Sequence, residues 1–111
     1  MSRMYAMVKH YSADASAIAE MLTQVDREFA DRVPEQVGSV LYSAVDTGGG
    51  TVMTITMFGD AEAAARAESA MIEVRESLGA RFGVRETAVE RGEVMVSRAT
   101  PSVVGRIRFE P

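Results

Sequence analysis

Residues 37–60 read VGSVLYSAVDTGGGTVMTITMFGD, and this stretch decides the fold. Two runs of alternating side chains flank the segment DTGGG, residues 46–50. Alternating runs around a short glycine-rich connection are typical of a β-hairpin. We place the loop at residues 47–50, so that Asp46 is expected to pair with Thr51.

This register predicts two unlike faces for the hairpin, because successive side chains of a strand point to opposite sides. One face is wholly apolar and is expected to receive helices; it consists of Val40, Tyr42, Ala44, Met53, Ile55 and Met57. The other face mixes hydroxyl and apolar side chains, namely Ser39, Leu41, Ser43, Val45, Val52, Thr54, Thr56 and Phe58. A slip of one residue would exchange the two sets on one of the strands.

The hairpin lies between two helical patterns, and a strand at residues 3–11 comes before the first of them. The first helix is expected to end by about Val33, before Pro34, and its apolar stripe is Ile18, Met21, Leu22, Val25 and Phe29. The second helix is expected to begin after the N-cap Asp60 and to end at Gly79. Its apolar stripe is Ala64, Ala67, Met71, Val74 and Leu78.

The C-terminal part carries weaker strand patterns. Residues 84–98 are broken by an Arg-Gly pair, and the best strand segment in them is 93–98. Residues 103–109 also alternate like a strand and are expected to dock on the edge of the sheet or on a partner. We therefore divide the chain into a domain at residues 1–99 and an extension at residues 100–111.

The order of elements is strand–helix–strand–strand–helix–strand, with a short fifth strand. Two βαβ units joined by a hairpin predict an α+β, ferredoxin-like βαββαβ fold, in which a four-stranded antiparallel sheet carries both helices on one face. The uncovered face would expose an apolar patch that includes Leu41, Val45, Val52 and Phe58. A second copy of the chain, packed about a two-fold axis, is the simplest cover, so we expect a homodimer.

The composition excludes several classes of function. The chain has 111 residues, a net charge of −4 and no block of basic residues, which argues against nucleic acid as a partner. It contains no cysteine, which excludes disulfides, thiolate metal sites and a cysteine nucleophile. We find no signal peptide and no apolar run long enough to cross a bilayer, so we expect a cytoplasmic protein that does not bind membranes.

The sequence resembles the antibiotic-biosynthesis-monooxygenase-like (ABM-like) group of dimeric α+β barrels. The hairpin at residues 38–60 carries the resemblance, with the strands YAMVKHY before it and GEVMVSR after it. The resemblance implies a cavity between the sheet and its helices or within the dimer barrel. Members of the group include oxygenases that act on aromatic polyketides or quinols without metal or flavin, and haem-degrading enzymes. Their catalytic sets often use asparagine and tryptophan, which this chain lacks, so those sets do not carry over.

His10 is the only histidine in the chain, and histidine is the residue type that most readily exchanges protons near neutral pH. It is a candidate general base, or a haem or metal ligand, at the end of the first strand. Alternatively it is a strand-end residue that bonds to water or to a backbone carbonyl. A lone histidine without neighbouring cysteines or paired acidic residues makes a poor metal site, and we predict neither a metal nor a bound cofactor.

Tyr42 is the second candidate catalytic residue, because a tyrosine can orient a phenolic substrate. The candidate substrate-binding residues are Tyr5, Leu41, Ser43, Thr54, Thr56 and Phe58. The alternative is structural, since tyrosine and threonine both suit strands. An inward cation at Arg3 or Lys9 could bind a carboxylate or stabilise a phenolate, but a solvated strand end is the simpler interpretation.

Two functions from different classes follow. The first is a homodimeric protein that binds or oxidises a small aromatic or polyketide-like compound, with His10 and Tyr42 as its catalytic residues. The second is a non-catalytic dimeric module for ligand binding or protein interaction. The first function needs a cavity on the order of 300 Å³, whereas the second predicts a filled interior.

Overall fold

The computed structural model describes residues 3–29, 35, 38–105 and 107–110. The elements follow in the order β1 (Tyr5–Ser12), α1 (Ile18–Gln24), β2 (Ser39–Gly48), β3 (Thr51–Phe58), α2 (Ala61–Phe82), β4 (Arg85–Glu93) and α3 (Pro101–Val104). A 3-10 turn, Ala15–Ala17, precedes α1, and a π-helical turn, Val25–Phe29, follows it. The predicted end of the first helix near Val33 lies outside the described residues.

The four strands form one sheet in the order β2-β3-β1-β4, and every neighbouring pair is antiparallel. Helices α1 and α2 both pack on the same face of this sheet, since the buried residues of each helix join strand residues from that face. This is the ferredoxin-like arrangement that the order of elements predicts.

The core between helices and sheet has two parts. In the first, α1 and the turn after it meet β3 and the end of α2, through Ile18, Met21, Leu22, Val25, Val52, Leu78 and Val84. In the second, the first half of α2 lies on the middle of the sheet, through Met7, Phe58, Ala64, Ala67 and Met71. The predicted helical stripes are therefore buried wherever their side chains are described; those of Phe29 and Val74 lie outside the described part.

Helix α2 begins where the sequence predicts and ends later. The Asp60 carboxylate accepts a hydrogen bond from the Ala63 amide at 2.7 Å, which caps the helix. The predicted stop at Gly79 is wrong, because the helix continues to Phe82. Gly83 ends it instead: this residue has a φ of 66° and donates its amide to the Gly79 carbonyl at 3.0 Å.

The hairpin pairs one residue away from the predicted register. Asp46 is opposite Val52, and Gly48 is opposite Thr51, so that the loop is Gly49 and Gly50 and Thr47 is an extra residue in a bulge. The predicted pairing of Asp46 with Thr51 is therefore wrong. The predicted loop has four residues, and the observed loop has two residues next to a bulge. Both loops use the same glycines, so the sequence pattern does not distinguish them.

The slip reverses the two faces of β3. The side chains that point to the helices are Val52, Thr54, Thr56 and Phe58, all of them buried. The side chains on the uncovered face are Met53, Ile55 and Met57, all partly exposed. Strand β2 keeps its predicted orientation at Tyr42, which packs against the helix-side core. The open face is apolar as predicted, but the residues of β3 that make it so are different.

The end of the chain differs from its predicted strands. Strand β4 runs without a gap from Arg85 to Glu93, through the Arg-Gly pair that was expected to break it. The strand predicted at 93–98 is wrong, because no strand continues beyond Glu93. Residues Pro101–Val104 form a helical turn rather than a strand. The last described residues return to the first helix, where Phe109 packs against the core and Arg108 Nε lies 3.0 Å from the Asp26 carboxylate.

Gly50 fixes the hairpin against the end of β1, and we expect its substitution to be costly. Its φ is +84°, and an added Cβ would lie 2.5 Å from the Ala13 carbonyl oxygen. Gly49 has a φ of +64° with open space around it, so Gly49→Ala is the matched control. The left-handed backbone should cost either variant about 1–2 kcal/mol, and the clash should cost Gly50→Ala a further ~1–3 kcal/mol in urea unfolding. Equal midpoints for the two variants would contradict this account.

Candidate functional site

A cavity of about 30 Å³ lies between the two helices and the sheet. Its lining is mainly apolar and comes from Met21, Leu22, Val25, Ala44, Val52, Met71, Leu78 and Val84. Four polar side chains interrupt this lining: Tyr11, Tyr42, Thr54 and Arg75. The volume suffices for about two water molecules and is below the ~300 Å³ of an ordinary ligand pocket.

Strand pairing brings three of the four polar groups together. Tyr11 pairs with Val52, Tyr42 pairs with Thr56, and Thr54 lies between them on β3, so the three side chains share the helix side of the sheet. The Thr54 hydroxyl is close enough to Tyr11 for a hydrogen-bonding interaction to lower the pKa of the phenol. The fourth group, Arg75, comes from α2 and lines the cavity with a side chain that is 36% exposed.

Burial keeps both tyrosines of the cavity protonated. It raises the pKa of Tyr11 to about 12, and the hydrogen bond with Thr54 opposes this only in part. Burial also raises the pKa of Tyr42, and the neighbouring Tyr11 raises it further. At neutral pH both phenols are protonated, and each can donate or accept a hydrogen bond.

Lys9 is the only lysine of the chain, and its side chain is just 4% exposed. The simpler expectation, a solvated strand end, is wrong. Its Nζ lies 4.0 Å from Glu86 Oε2, and Arg75 Nη1 lies 3.4 Å from the same oxygen. Burial lowers the pKa of Lys9, against the attraction of Glu86 and Glu68. The strand pattern contains a signal for this placement, because Lys9 alternates in phase with Met7 and Tyr11.

His10 lies on the opposite face of the sheet from Tyr42. It pairs with Met53 on β3, and its Nε2 lies 2.9 Å from Glu90 Oε1 on β4. Tyr42 packs against the helix-side core and lines the cavity. The two candidate catalytic residues therefore do not meet within this chain.

The candidate substrate-binding residues are divided among three places. Thr54 lines the cavity, whereas Thr56 and Phe58 are completely buried in the helix-side layer. Leu41 and Ser43 pair with Met57 and Ile55, which places them on the open face. Tyr5 lies at the far end of the sheet, in a surface groove with Arg3, Asp60, Ala61, Glu62 and Glu93.

The described residues hold no group of three or more histidine, cysteine, aspartate or glutamate side chains arranged to bind a metal ion. Nor does that part of the chain include a helix of the length and apolarity that a membrane span requires.

Solved structures show which proteins share this fold. SnoaB of Streptomyces nogalater, a cofactor-independent oxygenase crystallised as its N63A mutant, superposes with a TM-score of 0.57 and 17% identity over 90% of this chain and 99% of its own. A proposed antibiotic biosynthesis monooxygenase of Chloroflexus aurantiacus superposes with a TM-score of 0.58 and 7% identity, over 86% of this chain and 97% of its own. A dimeric ferredoxin-like protein from an uncultured marine organism superposes with a TM-score of 0.64 and 9% identity, over 89% of this chain and 94% of its own.

At these identities the likeness shows the fold alone, and it is the ABM-like fold. No protein-family model matches the sequence, and no curated protein matches it.

The two tyrosines of the cavity should ionise late. The pKa of each phenol is higher in the folded protein than the value of about 10 in the unfolded chain. The contribution of each buried phenol to the free energy of unfolding is therefore complete below about pH 10, and it is lost as the pH rises through the pKa of the folded state. We expect Tyr11→Phe and Tyr42→Phe each to remove one phenol that ionises at about pH 12 or above, followed by tyrosinate absorbance. In concentrated urea every tyrosine should ionise near pH 10. A variant that instead removes an early ionisation would contradict the assigned environment.

Proposed function

We propose that the protein is a homodimer whose protomers pack through the open faces of their sheets. The middle of this face is apolar on the two central strands, with Ala6 and Val8 beside Met57 and Ile55. No described element covers these side chains. An apolar sheet face of this extent is typical of an interface, and the dimeric ferredoxin-like neighbour supports a second copy as its cover.

A charge at the centre of the open face should separate the protomers. Ile55 pairs with Val8 on one side and with Ser43 on the other, so Ile55→Glu would bury a carboxylate in the dimer but leave it wet in the monomer. The control is Ile72→Glu on α2, where the side chain is 39% exposed. By sedimentation at micromolar concentration we expect the wild type and Ile72→Glu to be dimers and Ile55→Glu a monomer. A monomeric wild type would overturn the proposal.

We further propose that the helix-side cavity binds a small aromatic or polyketide-like compound and supports its oxidation. The observation that carries this proposal is the set of polar groups at an apolar space: Tyr11, Tyr42, Thr54 and Arg75 line it, and the buried Lys9 pairs with Thr54 beside it. Buried ionisable groups at an apolar cavity are the usual mark of a binding site. The fold shared with a cofactor-independent oxygenase supports the reaction class.

The reaction is the oxidation of a phenol by dioxygen to a quinone and water. One oxygen atom of O₂ becomes the second quinone oxygen, and the other leaves as water with the two hydrogens that the phenol loses. The phenol supplies all four electrons. Tyr11 and Tyr42 would donate hydrogen bonds to the oxygen of the substrate, and the apolar lining would keep water from the reacting carbon.

A ring enters this cavity only if its walls separate. Met21 and Met71 line it from the two helices, and methionine side chains change rotamer at little cost. Arg75 lies at its more exposed side, where a ligand would enter. Binding should therefore displace the two methionine side chains before it moves the backbone.

The small volume favours a second candidate, a dimeric module without catalytic activity. At about 30 Å³ the interior is almost filled, which is the expected state of a protein whose open face only makes the dimer. In this case Tyr11, Tyr42 and Thr54 would be structural, and neither phenols nor quinols would bind.

Oxygen consumption with a panel of naphthols and quinols separates the two candidates. We expect uptake with at least one compound, reduced at least about tenfold in Tyr42→Phe because one oxyanion donor is lost. His10→Ala tests the alternative site on the other face, and its activity should persist if the chemistry takes place in the helix-side cavity. Activity lost in His10→Ala and kept in Tyr42→Phe would place the chemistry inside the dimer barrel. If no compound binds and none consumes oxygen, the non-catalytic candidate is correct.

A further inference from the structure

We propose that the helix-side cavity takes its ligand as an anion, a carboxylate or a phenolate, and that Arg75 is the residue that contacts the negative group. This inference rests on the proposed ligand-binding function and names the charge of the ligand. It comes from the distribution of charge on the helix side of the sheet.

Five described charged groups interact around Lys9, and cations outnumber anions among them. The cations are Lys9, Arg75 and Arg91, and the anions are Glu68 and Glu86. Arg91 is in contact with Glu68, which accounts for one pair. Lys9 and Arg75 are left to share Glu86, and both approach its Oε2 atom.

One carboxylate therefore serves two cations, and this cluster of described groups carries a net positive charge. Lys9 and Glu86 at its centre are shielded from solvent, with side chains 4% and 17% exposed, whereas the Arg75 side chain is 36% exposed. Where water is scarce, an uncompensated charge is poorly solvated, and a counter-ion that reaches it is bound more strongly than at the surface. A ligand that carries one negative charge would neutralise the cluster.

Arg75 is the cation that a ligand in the cavity can reach. It lines the cavity, whereas Lys9, which pairs with Thr54, is not part of the lining. The contact of Arg75 with Glu86 uses Nη1 at 3.4 Å, which is a long and weak ion pair. A guanidinium has five N–H donors, so Arg75 can bond to an anion and keep Glu86.

The remaining polar groups can complete the binding of a group that accepts hydrogen bonds. Tyr11 and Tyr42 remain protonated to high pH because burial raises the pKa of both phenols, and each hydroxyl can donate to a carboxylate or phenolate oxygen. An amide, in contrast, would place N–H groups against Arg75, which has donors and no acceptor. The apolar lining provides for the rest of an aromatic ring.

The test compares benzoate with benzamide, which have nearly the same shape and differ in charge. We expect the Kd of benzoate, measured by chemical-shift perturbation at neutral pH, to be at least about tenfold lower than that of benzamide. In Arg75→Gln this ratio should fall to about one. The matched control is Arg81→Gln, on the same helix but ion-paired with Glu28 outside the cavity, where the ratio should not change.

A second variant gives a readout that a structural role would not produce. Glu86→Gln removes the anion that Lys9 and Arg75 share, and it should tighten the binding of benzoate while that of benzamide stays the same. Equal affinities for the two compounds, or a ratio that Arg75→Gln does not change, would overturn the inference and leave the binding function intact. If neither compound binds the wild type, the proposed function itself fails, and the inference fails with it.

Discussion

The pairing of β2 with β3 is the constraint on which the rest of the structure depends. Thr47 is an extra residue in this ladder, held by a hydrogen bond of 2.6 Å between its hydroxyl and that of Thr51. The extra residue sets which side of β3 faces the helices, because side chains alternate along a strand. With Phe58 and Val52 turned toward the helices, both parts of the core acquire their strand members. The methionines of β3 are left for the open face.

Much of the fold follows from the sequence, because the signals for it are local. Helix stripes, the cap at Asp60 and the glycine-rich turn each depend on residues within a few positions of one another. The register of the hairpin does not follow from such local signals, because both faces of β3 carry residues suited to burial. One face has threonine, valine and phenylalanine, and the other has methionine and isoleucine. Hydrophobicity alone favours the second set, whereas packing against α2 selects the first.

The site was harder to predict than the fold, because its identity depends on which polar side chains become buried when the chain folds. Tyr42 and Thr54 suit a strand whether or not they line a cavity, and the cavity does include both. Lys9 resembles a solvated strand end in sequence, yet its side chain is buried beside Glu86. A buried ion pair of this kind stabilises a fold little and is often less favourable than apolar side chains of the same volume. We therefore propose that the pair serves the binding site rather than the stability of the fold.

A bulge in β4 places Glu86 and Glu90 on opposite faces of the sheet. Glu86 and Glu90 are four positions apart, and in a regular strand they would point to the same side. Between them the register with β1 shifts at Thr87, so that Tyr11 pairs with Glu86 and His10 with Ala88. The Thr87 hydroxyl donates a hydrogen bond to the His10 carbonyl at 3.2 Å, which holds the irregularity in place. One extra residue thus directs Glu86 to Lys9 and Arg75 at the cavity and leaves Glu90 for His10 on the face where we place the dimer.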